Sequence, residues 1–188
     1  MFETIIQNWP YWVVTVFVIV AAYIDGKLLK VPNKITYPMI IAGWIYSMIA
    51  YQMAGEGWYV GLGWSLAGTA VGLLTLLPAY SIGGMGAGDV KMMAAVGAWV
   101  YIATTFYAFC VSAIVGAVIA VIMILMSGEA KKHWAQGQYI LNEIMTIKNP
   151  EKLAEIAAER KPTMRLLPYG IPLAIGTVMY FAWMGMLV

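Results

Sequence analysis

Charge is scarce in this chain, and so are the side chains that form disulfides or hold zinc. Of 188 residues, 11% are charged and 62% hydrophobic. A soluble domain carries about 25% charged residues, so this chain lacks the polar surface to meet water all round. One cysteine, Cys110, excludes an internal disulfide. With one cysteine and one histidine, His133, a cysteine-based zinc site is also excluded, and because that histidine lies in the charged loop no serine–histidine centre is available. The first apolar run has no basic segment before it, only Glu3, and does not read as a signal peptide. The net charge of +2 decides nothing by itself.

The gaps between charges say more than their number. None occurs in residues 4–24, 35–55, 57–88, 92–128 or 166–188. About 20 apolar residues of helix cross ~30 Å of hydrocarbon, because every backbone amide must be satisfied within the segment. Residues 4–24, 35–55 and 166–188 each supply one crossing. The run 57–88 supplies one helix, about Trp58 to Tyr80, followed by a glycine-rich segment. The run 92–128 is too long for one crossing and a little short for two. It resolves if a helix begins near Gly88 or Asp89 and the chain turns back around Val100–Thr104. The predicted fold is therefore all-α, a single membrane-embedded bundle of about six transmembrane helices, with Asp89 and Lys91 drawn into a first helical turn.

Six crossings place 25–34, 81–91 and 127–165 on one side. All Lys and Arg fall there: Lys27, Lys30, Lys34, Lys91, Lys131, Lys132, Lys148, Lys152, Arg160, Lys161 and Arg165. The other side holds Glu3 and Glu56. The positive-inside rule makes the basic side cytoplasmic and puts both termini outside the cytoplasm. Trp9, Tyr11, Trp12, Trp58, Tyr59, Trp99 and Tyr101 lie at span ends and read as interfacial anchors.

Residues 127–165 form the one long polar connection. Asn149-Pro150-Glu151 reads as an N-cap, a proline at the first helical position and an acid in the first turn. Leu153, Ile156 and Ala157 form an apolar stripe, and Ile140, Leu141, Ile144 and Ile147 suggest a second amphipathic stretch, so a helical segment lying on the membrane is expected. Gly68 and Gly72, four apart, read as a close-packing face. Gly83-Gly84-Met85-Gly86-Ala87-Gly88 does not, because four glycines in six residues weaken any helix. That cluster reads as irregular backbone, which at membrane depth survives only inside protein or beside a wet cavity.

Asp25 ends the first helix after one crossing and Asp89 begins the fourth after three, so both reach the same side at similar depth. An ionisable residue inside a bundle points to function. Two carboxylates held close cannot both ionise easily, so one keeps its proton and the pair can act as acid and base on a peptide bond. Spacing alone leaves a plainer alternative open. Asp25 could be a boundary residue paired with Lys27 or Lys30, and Asp89 a helix cap helped by Lys91.

Gly86-Ala87-Gly88-Asp89-Val90-Lys91 matches a Gly-x-Gly-Asp-x-Lys signature. With Val31-Pro32-Asn33-Lys34-Ile35-Thr36 after Asp25 and Leu167-Pro168-Tyr169-Gly170 before the last helix, the chain resembles the bacterial type IV prepilin peptidase family over nearly its whole length. The resemblance implies an inner-membrane aspartyl endopeptidase with Asp25 and Asp89 as its catalytic pair, working at the cytoplasmic face. Its partners would be type IV prepilin or pseudopilin precursors with a basic leader ending in glycine, with pilus assembly machinery nearby. Neither cofactor, metal nor nucleic acid is expected. Gly86, Gly88, Lys91, Pro32 and Asn33 would support substrate or motif. The glycines let backbone approach an extended peptide, while Lys91 either tunes Asp89 or faces headgroups. Larger members carry a paired-cysteine insertion and methylate the new N-terminus. Residues 25–34 leave no room for it, so the chain looks like the short, peptidase-only branch associated with tight-adherence pili. Competing readings are a small ion-coupled transporter using the two aspartates as cation or proton sites, and a non-catalytic assembly factor.

Overall fold

The computed structural model describes residues 8–81, 84–128, 130–147, 149–160 and 168–188. Every regular element among them is helical: α1 (Trp9–Leu28), α2 (Asn33–Met53), α3 (Trp58–Ser81), α4 (Ala87–Met126), α5 (Ala130–Thr146), α6 (Pro150–Arg160) and α7 (Gly170–Trp183). Three of these, α1, α3 and α4, have both the length and the apolarity to cross a bilayer, and α7 is a shorter apolar helix. Glu3, Gly83, Lys148, Lys161, Arg165 and Leu167, which entered the sequence argument, lie outside the described residues.

The 40 residues of α4 would make a rod of about 60 Å if straight, twice the hydrocarbon thickness. They do not run straight. Tyr101 leaves helical geometry at φ 61°, ψ −167°, inside the interval where the sequence calls for a reversal. The two arms run in opposite directions, as their partners show. The first arm pairs antiparallel with α3, Gly97 against Gly68 and Met93 against Gly72. The second pairs antiparallel with α7, Ser112 against Gly176 and Gly116 against Pro172. A bundle of six antiparallel rods results, with the first arm of α4 at its centre, where Met92, Met93, Ala94, Ala95, Val96 and Ala98 are all buried.

Small residues explain why α3 and α4 pack so closely. A Cβ added at Gly68 would strike the Gly97 carbonyl, and one at Gly97 would strike the Gly68 carbonyl. Only glycine at both positions allows the backbones to touch, which is how membrane helices gain contact without a hydrophobic drive. A polar tie reinforces the seam, Ser65 Oγ donating to the Ala98 carbonyl at 2.5 Å. α2 is tied to α3 in turn by Trp44 Nε1, which donates to Thr69 Oγ1 at 3.0 Å.

One end of the bundle is aromatic. Trp9 sits edge-on to Tyr46 and Trp99, centroids 4.9 and 5.7 Å away, and Tyr46 stacks on Trp99 at 5.2 Å. Trp99 thus departs from the interfacial role its sequence position suggests. It is buried, and its indole N–H donates to the Met39 carbonyl at 2.9 Å. Trp9, Trp12, Trp58 and Tyr59 are exposed, as anchors would be. α7 is also shorter than the apolar run 166–188. Gly185, at φ 68°, closes it with Met186 N–H on the Phe181 carbonyl and Gly185 N–H on Ala182.

Between α4 and α7 lie the two amphipathic helices. The Asn149 side chain accepts the Glu151 N–H at 2.9 Å, so α6 starts at Pro150. Leu153 is buried, Ile156 and Ala157 are half-buried, and α6 touches α3.

Candidate active site

At the end of the bundle opposite the aromatic cluster, two acids come together from helices 64 positions apart in sequence. Asp25 stands in the last turn of α1 and Asp89 in the first turn of α4. Both are buried, at 3% and 5% exposure, and their carboxylates lie close enough to act on each other electrostatically. The even number of crossings between them brings them to one face, as the sequence requires.

Each carboxylate is oriented by a backbone donor. Gly170 N–H donates to Asp25 Oδ2 at 2.9 Å, across 145 residues of sequence. This is a helix N-terminus offered to an anion, since the first amides of α7 have no partner within their own helix. A Cβ on residue 170 would lie 2.9 Å from both Asp25 Cβ and Oδ2. Only glycine lets the amide approach this near. Gly86 N–H donates to Asp89 Oδ2 at 3.3 Å. Asp89 is the third residue of α4 reaching back over its first turn, half of a capping box whose other half glycine cannot supply. Asp89 Oδ1 is buried with no hydrogen-bond partner. Among the described residues no group of three His, Cys, Asp or Glu side chains could hold a metal ion.

The other residues picked out by sequence surround this pair. Residues 84–86 are non-helical, and Gly86 is exposed at the rim. Gly88 packs on the backbone of Val31, where a Cβ would fall 2.9 Å from the Val31 carbonyl oxygen. Pro32 is extended (φ −69°, ψ 140°) and caps α2. Lys91 Nζ donates to Asn33 Oδ1 at 2.9 Å and lies 4.9 Å from the Tyr37 ring centroid. Tyr169 is partly exposed and within electrostatic reach of Asp89. The bonding of Gly170 to Asp25 escapes the sequence reading. A Pro-Tyr-Gly element was visible there, but a backbone donor has no side-chain signature.

The arrangement is a buried acid pair in which one oxygen is left free to accept. Opposed protonation states would make one member a base and the other an acid, with irregular glycine backbone beside them.

Comparison with known proteins agrees with the geometry. The profile of the type IV leader peptidase family matches residues 12–121, an interval that contains both aspartates. Curated relatives include a prepilin leader peptidase/N-methyltransferase of Neisseria gonorrhoeae, 31% identical over 132 residues, or 66% of this chain and 43% of that protein. One of the same name from Aeromonas salmonicida is 30% identical over 55% of this chain and 36% of its own. Another from Xanthomonas campestris pv. campestris is 28% identical over 65% and 42% respectively. The chain spans less than half the length of these relatives. No solved structure matches it.

Proposed function

The chain belongs to the type IV leader peptidase family, and we propose that it is an aspartic endopeptidase removing the leader from type IV pilin-like precursors. The observation that carries this reading is the meeting of Asp25 and Asp89, both buried, at one end of the bundle, with Asp89 Oδ1 unpartnered. The ionised member takes a proton from water as the water oxygen bonds to the scissile carbonyl carbon. The protonated member donates to the carbonyl oxygen; as the C–N bond breaks, the first member passes the proton taken from water to the leaving amine nitrogen, and the second recovers its own from the tetrahedral hydroxyl. Backbone amides of Gly86 and Gly170 hold the carboxylates in place. Exposed glycine at 84 and 86 lets an extended peptide lie against the chain, which suits a leader ending in glycine with a basic stretch before it.

The positive-inside rule, applied to the basic loops, supports a pair facing the cytoplasm from the inner membrane. α1 and α2 are joined by four residues, 29–32, which leaves no space for a cysteine-bearing insertion. Peptidase activity without N-methylation is therefore our reading of this chain. Co-expression with a candidate prepilin, followed by sequencing of the product's N-terminus, tests it. Cleavage after the leader glycine is expected, lost in both Asp25→Asn and Asp89→Asn. Intact precursor with the unaltered protein, or normal processing by either variant, refutes it.

A further inference from the structure

Residues 29–33 link the two acid-bearing helices by more than covalent continuity. Leu29 adopts the left-handed conformation (φ 51°, ψ 34°), which costs a non-glycine residue about 1 kcal/mol or more. The strain closes α1 directly beneath Asp25, because Leu29 N–H donates to the Asp25 carbonyl at 2.7 Å. The chain then drops Val31, 2% exposed, onto Gly88, the residue before Asp89. Pro32 turns it into α2, and Asn33 at once receives Lys91 Nζ. Within five residues the segment touches the last turn of α1 and, twice, the first two turns of α4.

We infer that residues 29–33 are a strap that sets the spacing of the two aspartates, and that the Asn33–Lys91 hydrogen bond is its fastening. Asn33 and Lys91 are positioning residues that act through Asp89. The chemistry of the fastening suits that task. A neutral amide acceptor holds the ammonium by one charge-assisted bond without cancelling its charge, and the Tyr37 ring, 4.9 Å away, confines it further. Lys91 lies two residues beyond Asp89, where the second turn of α4 begins, so holding its head group fixes how this end of the helix rotates and tilts. Gly88 supplies the close approach, and any larger residue there would push the strap away.

The kinetic part of the test rests on the peptidase reading, and the exchange part does not. Asn33→Leu, Lys91→Met and the double variant are compared with the unaltered protein at saturating prepilin in detergent. Each single change should lower kcat by roughly tenfold with KM little altered, since a small misplacement of a reacting group slows chemistry more than binding. The double variant should be no slower than the slower single, because both break one bond. Asn33→Asp, which keeps an acceptor for Lys91, should retain most of the rate. Losses that multiply to roughly a hundredfold in the double variant, or that fall on KM, overturn the strap, because they mean that the two side chains act separately on substrate or lipid. Amide exchange of residues 29–33 and 86–90 should be faster in both single variants and no faster in the double. Unchanged exchange overturns the fastening whether or not the protein cleaves prepilin. Absence of cleavage by the unaltered protein refutes the peptidase reading alone and leaves the exchange result to decide the strap.

Discussion

Gly170→Ala adds one methyl group at the place where the structure can least accommodate it. The new Cβ would lie 2.9 Å from Asp25 Cβ and from Oδ2. Carbon atoms rest at about 3.5–4.0 Å, so Asp25 or the start of α7 must yield by roughly 0.6–1 Å. Neither moves freely: Asp25 is buried at the end of α1, and α7 is held on the second arm of α4 by Gly176 against Ser112. The shift stretches the 2.9 Å bond from Gly170 N–H to Asp25 Oδ2, a bond to a charged acceptor worth about 1.5–3 kcal/mol. Displacement of a reacting group by about 1 Å costs on the order of a hundredfold in rate. Cleavage of prepilin by purified protein in detergent measures the loss, with thermal unfolding followed alongside. The control is Gly63→Ala, where nothing lies within 4 Å of the added Cβ and helix propensity favours alanine by about 1 kcal/mol. Gly63→Ala should cleave normally and unfold no earlier. A Gly170→Ala protein that folds and cleaves at the unaltered rate would refute the claim that this amide positions Asp25.

Asp89→Asn should abolish cleavage yet leave the melting temperature equal or higher, because it neutralises a buried carboxylate with an unpartnered oxygen; a clear drop in melting temperature would show that the acid is structural. Gly97→Val should lower stability by more than about 2 kcal/mol, since its side chain meets the backbone of Gly68; unfolding at the unaltered temperature would mean that α3 and α4 are not in backbone contact. Cysteines replacing Lys30 and Lys152 should be shielded from an impermeant thiol reagent in intact cells, while one at Glu56 should react. Labelling of position 30 from outside would reverse the orientation given to the acid pair.

What could be read from the sequence was whatever depends on counting along the chain. Gaps between charges divide it into crossings, and the crossing count brings Asp25 and Asp89 to one end. The excess length of 92–128 demands a reversal, which falls at Tyr101. The glycine pair at 68 and 72 announced a packing face for the same reason, because helical spacing alone puts both on one side. Contacts made between distant helices left no such trace. Gly170 and Asp25 meet across 145 residues through a backbone amide, and Asn33 and Lys91 across 58 through ordinary polar side chains. Trp99 reads as an anchor because a tryptophan at a span end looks the same whether it faces lipid or a neighbouring helix.

The hydrogen-bonding of the bundle interior separates the acid pair from its surroundings. Ser65, Thr69, Thr105 and Ser112 return their hydroxyl protons to backbone carbonyls, the usual way for a membrane helix to carry a polar side chain. Thr15, Thr36 and Thr177 are buried without a partner, but a neutral hydroxyl left so costs about 1–3 kcal/mol at most. Asp89 also lacks a partner for one oxygen, and a carboxylate in that position costs more. Its helix has a ready way to avoid the cost, since asparagine at residue 89 would still accept the Gly86 N–H. A strained Leu29, a glycine at 88 and a glycine at 170 gathered around two such acids are local costs to stability, and the proposed peptidase chemistry gives them a reason.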